Sequence, residues 1–133
     1  MTARQWLGRA RYIKHQISVL EKAKKETHDS VTRITQNYDS DGAQSTKNPH
    51  KFDRLVEFDN EIDNKLNELN ETLAEIQNKI NRLNDQRLEM VLVSYYVRMM
   101  TLERIAIELN YSYPHVKRLK REGERKIENM MLE

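Results

Sequence analysis

The chain has 133 residues, of which 33% are charged and 38% hydrophobic, with three glycines, two prolines and no cysteine. Such a balance excludes one large round core, and the lack of cysteine excludes a disulfide framework or a thiolate metal site. It suits thin helices that each bury one stripe, so an all-α fold is expected. The net charge of +2 conceals three blocks. Residues 1–26 hold seven Lys/Arg against two Glu, residues 53–89 hold ten Asp/Glu against five Lys/Arg, and residues 111–127 hold six Lys/Arg against two Glu. No apolar run reaches membrane-spanning length and no hydrophobic leader follows Met1, so a cytoplasmic protein with no membrane partner is expected.

The first segment places Trp6, Ala10, Ile13, Ile17 and Leu20 at alternating steps of four and three, continuing through Lys24 and Thr27 to Val31 and Ile34. A 4-3 repeat marks a helix packed along one narrow line against another helix. Thr27-His28-Asp29-Ser30 weakens the pattern, so the helix is expected to fray or end near there. Residues 36–50, with Gly42 and Pro49 and no apolar periodicity, read as a connector.

A second seam runs through Leu55, Ile62, Leu66, Leu69, Leu73, Ile76, Ile80 and Leu83, with Asp59 interrupting it and Arg87 ending it. A helix from Lys51 to Arg87 would be roughly 55 Å long and could not bury its stripe alone. The expected partner is the first helix, folded back antiparallel, with Lys22, Lys24 and Lys25 facing Glu57, Asp59, Glu61 and Asp63. Residues 1–88 are therefore expected to form a long antiparallel coiled-coil hairpin. The connector is long enough for a homodimer that exchanges helices.

From Leu88 the apolar face broadens through Val91, Leu92, Tyr95, Tyr96 and Met99, the spacing of a helix entering a small globular core. The second long helix could run straight into this one. Two further helices follow, with Thr101 capping residues 102–109 and Ser112 capping residues 113–130, and Pro114 in the first turn of the last. Residues 89–133 are thus expected to form a small three-helix domain.

Within it, residues 102–121 fit a helix-turn-helix template. Ile105, Leu109, Tyr111, Val116 and Leu119 occupy the positions at which the two helices pack. Ala106 falls where they cross too closely for a larger side chain. Asn110 takes the turn position that needs positive φ. On the outer face of the second helix, Ser112, Tyr113, Lys117, Arg118 and Arg121 are placed to enter a DNA major groove. Lys120, Arg125 and Lys126 are placed to hold phosphates. His115 is open to either DNA or solvent.

The run from Val91 to Leu109, followed by Tyr111, Ser112 and Val116, resembles region 4 of bacterial sigma-70-type factors. Thr101, Ile105, Ala106 and Leu109 occupy that family's threonine, Ile-Ala and leucine positions, whereas Met100 and Asn110 stand where it often has glycine. A coiled coil ahead of such a domain resembles small phage-encoded late-transcription regulators of the ArpU/RinA kind. The resemblance implies a sequence-specific DNA-binding transcription regulator whose partner is double-stranded DNA, with RNA polymerase open as a second partner. No region-2-like segment precedes the domain, so a stand-alone promoter-melting sigma factor is not expected. The alternatives are a phage small-terminase-like packaging protein and a coiled-coil scaffold that binds no DNA. His15, His28, His50 and His115 lack ligand spacing and no glycine loop could cradle a phosphate, so neither an enzyme nor a cofactor or metal site is expected.

Overall fold

The computed structural model describes the backbone of residues 1–41 and 50–133, and the side chains of residues 1–32 and 52–133. The fold is all-α. In chain order the helices are α1 (Ala3–Leu7), α2 (Arg9–Asp41), α3 (His50–Asn81), α4 (Gln86–Leu92), α5 (Leu102–Leu109) and α6 (Tyr113–Met131), with a π-helical stretch over Val93–Val97 after α4. No strand occurs among the described residues.

Helix α1 begins on a capping box. Thr2 Oγ1 accepts from Gln5 N (3.2 Å) and Gln5 Oε1 accepts from Thr2 N (2.9 Å), so two end groups are satisfied reciprocally. Helix α2 runs through Thr27–Ser30 to Asp41 without the expected fraying, which shortens the connector anticipated at 36–50. Gly42 and Pro49 of that connector lie outside the described residues.

Helix α3 stops at Asn81 and does not reach Arg87 or continue into α4. Asn84 adopts a left-handed conformation (φ 55°), and Asp85 then caps α4 by accepting from Arg87 N (3.1 Å) and Leu88 N (3.4 Å). An Asn-Asp pair supplies both needs, since Asn tolerates positive φ and Asp suits the N-cap. The helix restarted here is α4, and its last turn loosens into the π-helical stretch, where Arg98 N donates to Val93 O at 2.9 Å. Met99 ends it at φ 58°.

The chain forms two compact units, one of residues 1–13 with 69–133 and one of residues 14–68. This differs from the expected division at residue 88. The reason is packing: Ala3, Leu7 and Ala10 from the start of the chain join Ile76, Ile80 and Leu83 of α3 and the apolar faces of α4, α5 and α6 in one core. The coiled-coil reading assigned both long helices wholly to the hairpin and gave the N-terminus no place in the C-terminal domain.

Within residues 14–68, Ile17 and Val31 of α2 and Phe58 of α3 are buried and Lys24 pairs with Asp59. Within the other unit, Arg9 pairs with Glu75 at 2.9 Å. The Lys24–Asp59 pair is one of those expected from charge complementarity and is consistent with antiparallel packing of α2 on α3 within residues 14–68. The seam of α3 differs in detail from the expected one. Phe58 and Thr72 are buried while Leu66 is 41% exposed.

Candidate nucleic-acid interface

The α5–α6 pair is set by short-range chemistry. Thr101 Oγ1 accepts from Arg104 N (3.3 Å) at the start of α5, and Ser112 Oγ accepts from His115 N (3.3 Å) at the start of α6. Between them Asn110 sits at φ 59°, ψ 42°, the left-handed conformation that the turn position demands. Tyr111 N donates to Ala106 O at 2.9 Å and closes the end of α5. Pro114 lies in the first turn of α6, where its missing N–H leaves no helix bond unmade.

Burial then fixes which face of α6 is free. Ile105 and Ala106 of α5 and Val116, Leu119, Gly123 and Ile127 of α6 are buried, and Leu109 and Tyr111 are half-buried. A Cβ on Gly123 would meet Leu92 Cδ1 at 2.7 Å, so any larger residue here would force the Leu92 side chain of α4 to shift. At the far end of the π-helical stretch Arg98 Nη1 pairs with Glu108 Oε1 at 2.9 Å, tying it to α5.

Opposite the buried stripe, Ser112, Tyr113, Lys117, Arg118, Arg121, Arg125 and Lys126 are exposed. Among the described residues no carboxylate pairs with Lys117, Arg121, Arg125 or Lys126. Lys117 Nζ lies 5.5 Å from the Tyr113 ring centroid. His115 is half-buried, stacked edge-on against Tyr111 at 4.8 Å, with Nδ1 3.3 Å from Arg118 Nη2.

Lys120 departs from its expected place. Its side chain is only 14% exposed, its ammonium donates to both Glu124 oxygens (3.1 and 3.3 Å), and it lies 4.6 Å from the Tyr95 ring centroid. It faces the core side of α6 and is not presented to a phosphate. The residue that turns it inward is Glu124, which is buried. Its Oε2 also accepts from the Tyr96 hydroxyl (2.9 Å) and from Arg4 Nε of α1 (3.0 Å). Burial first, and the Glu124 carboxylate second, push the Tyr96 hydroxyl far above the usual tyrosine range, so it is a hydrogen-bond donor.

Neither Glu124 nor Arg4 was among the sequence candidates. Glu124 read as one acid diluting a basic block, and Arg4 as part of the hairpin. One signal was present: Gly123 inside an amphipathic helix marks a close backbone approach, which places its neighbours near another element. Arg11 completes the attachment of the N-terminal segment, with Nη2 donating to Tyr95 O (3.0 Å) and the guanidinium 4.1 Å from the Tyr95 ring centroid. Among the described residues no group of three or more His, Asp or Glu side chains is arranged to hold a metal, and no helix is long and apolar enough to cross a membrane.

The described residues therefore define an all-α protein in which a tightly turned helix pair presents one basic, largely unpaired helix face. The chain belongs to the DUF1492 family, a family described as a protein of unknown function, whose model matches residues 30–128. No curated protein and no solved structure matches the chain.

Proposed function

We propose that the protein is a sequence-specific DNA-binding transcription regulator that reads the major groove with α6, of the phage-encoded late-transcription kind that its sequence resembles. The observation that carries this reading is the division of α6 into two faces. Val116, Leu119, Gly123 and Ile127 are consumed by packing, while Lys117, Arg118, Arg121 and Arg125 stand exposed beside the helix start at Ser112 and Tyr113. A basic face that packing leaves free, at the second helix of a tightly turned pair, is what groove insertion requires. Arg118 and Arg121 have the donor geometry for guanine O6 and N7, and Arg125 and Lys126 the charge for phosphates.

The test starts with selection of duplexes from a random pool, followed by titration of the selected and a scrambled duplex at two salt concentrations. Affinity should fall with salt by a slope of roughly −0.9 per phosphate neutralised. Arg118→Ala or Arg121→Ala should weaken the selected duplex by about 1–3 kcal/mol and relax sequence preference, whereas Lys126→Ala should weaken both duplexes equally. Absence of binding to any duplex at low salt, or an Arg118→Ala/Arg121→Ala protein that binds as the parent does, would overturn the reading in favour of a scaffold.

A further inference from the structure

Resting on the DNA-binding reading of α6, we propose that α1 belongs to the same DNA-contacting surface, with Arg4 a backbone phosphate contact held in place by the buried Glu124. The charge balance of the cluster points this way. One carboxylate, Glu124, meets two cations, Lys120 and Arg4, so one positive charge is left over. The two cations are not equally placed: the Lys120 side chain is 14% exposed and that of Arg4 is 66% exposed. The surplus charge therefore surfaces at the Arg4 guanidinium.

The geometry of that guanidinium is suited to a second anion. Glu124 takes Nε, and among the described residues it is the only carboxylate that Arg4 meets. The two Nη groups keep their donors for an oxygen approaching from solvent. Glu124 is itself fixed by Tyr96 and Lys120 and is 6% exposed, so it is a rigid anchor and not a mobile surface acid. A guanidinium held at one edge and open at the other loses less freedom when it binds phosphate than an unrestrained surface arginine would.

Its position relative to α6 supplies the partner. Lys117, Arg121 and Glu124 follow one another at spacings of four and three, which puts them on one side of the helix. A residue seated on Glu124 therefore borders the Lys117–Arg121 stripe. A helix lying in a groove is flanked by phosphates, and contacts from the elements beside it fix the register without reading sequence. On this arrangement Arg4 adds affinity that is independent of sequence, and α1 helps set how deeply α6 lies.

The experiment measures the salt dependence of binding to the selected duplex for the full chain, Arg4→Gln, Arg4→Lys and, as a phosphate-contact reference, Lys126→Ala, with thermal unfolding of each in parallel. Arg4→Gln keeps a donor for Glu124 but loses the charge, and should reduce the slope by about 0.9, the share of one phosphate. Arg4→Lys should retain the slope. A purely structural loss would lower the folded fraction and weaken binding by the same factor at every salt, leaving the slope unchanged.

A second measurement needs no variant: duplex should shield Arg4 of the parent protein from phenylglyoxal, read residue by residue by mass spectrometry. That measurement decides alone if Arg4→Gln fails to fold. An Arg4→Gln slope equal to that of the parent, or Arg4 modified equally with and without duplex, overturns the inference. In that case Lys126→Ala still lowers the slope and the DNA reading of α6 survives. If the parent protein binds no duplex, both fall together.

Discussion

The two compact units solve the same problem, burying helix stripes, with unequal means. Residues 14–68 bury Ile17, Val31 and Phe58 and leave Val19, Phe52, Val56 and Leu66 substantially exposed. Residues 1–13 with 69–133 gather Leu7, Ile76, Ile80, Leu88, Leu92, Ile105, Val116 and Ile127 at essentially no exposure. Each such side chain contributes roughly 1.5–3 kcal/mol by its removal from water. The difference teaches that the core positioning α6 is the better-packed part of the chain, and that the narrow seam of residues 14–68 depends on few contacts.

Truncation separates the two most sharply. Ile80→Ala removes a fully buried side chain and should cost about 2–5 kcal/mol in chemical unfolding. Leu66→Ala, at a position the 4-3 repeat would place in the seam, should change stability by no more than about 0.5 kcal/mol. Equal losses at both positions would break the comparison. A Leu66→Ala loss that grows with protein concentration would instead mean that a second chain covers this face.

The next largest effect lies at the α4–α6 crossing. Gly123→Ala brings a helix-propensity gain of about 1 kcal/mol and an overlap with Leu92 that should cost about 1–3 kcal/mol. Leu92 is fully buried, so it has little room to give way and the overlap should win. The urea midpoint should fall. A rise would show that the two helices stand further apart than this.

How much of this was legible in the sequence follows the range of each interaction. Thr101, Asn110, Ser112 and Pro114 obey rules that span three or four residues, and each adopts the conformation those rules predict. The packing positions Ile105, Ala106, Val116 and Leu119 were legible because a tightly turned pair of short helices has few ways to pack. The break between α3 and α4 carried a readable signal in Asn84-Asp85, but the continuing apolar periodicity obscured it. Phe58 and Thr72 join the expected seam, of which Leu66 alone is exposed, because a 4-3 repeat with one polar interruption fits two adjacent stripes, and only a partner decides between them.

The partner in the attachment of α1 to α6 was not legible. Arg4 and Glu124 are separated by 120 positions, and no periodicity connects them. The local pattern Thr2-Ala3-Arg4-Gln5 announces a helix start but not its destination. For the same reason the inward turn of Lys120 was missed: on a basic helix face Gly123 was the one sign that its neighbour Glu124 lies against another element. What the sequence showed of the candidate site is its secondary structure and its exposed charges, and what it hid is which charges the protein keeps for itself.

The smallest expected effect tests residues 14–68 at the Lys24–Asp59 ion pair between α2 and α3. Lys24 and Asp59 are both partly exposed, so a double-mutant cycle with Lys24→Ala and Asp59→Ala should give a coupling of about 0.2–1 kcal/mol that shrinks as salt rises. So small a value cannot by itself fix which helix meets which, but the contact has a chemical readout as well. A carbodiimide joins an amine to a carboxylate only when they touch, so the parent protein should yield a crosslink between the peptides holding Lys24 and Asp59. Refolding an equal mixture of isotopically light and heavy chains before the reaction then asks whether the contact lies within a chain. Crosslinked peptides uniform in label mean that α2 meets α3 of its own chain. Products pairing a light peptide with a heavy one mean that the helices are exchanged between two subunits, as the connector length permits. No crosslink at all would remove the late-α2 to early-α3 register, and with it the antiparallel pairing within residues 14–68.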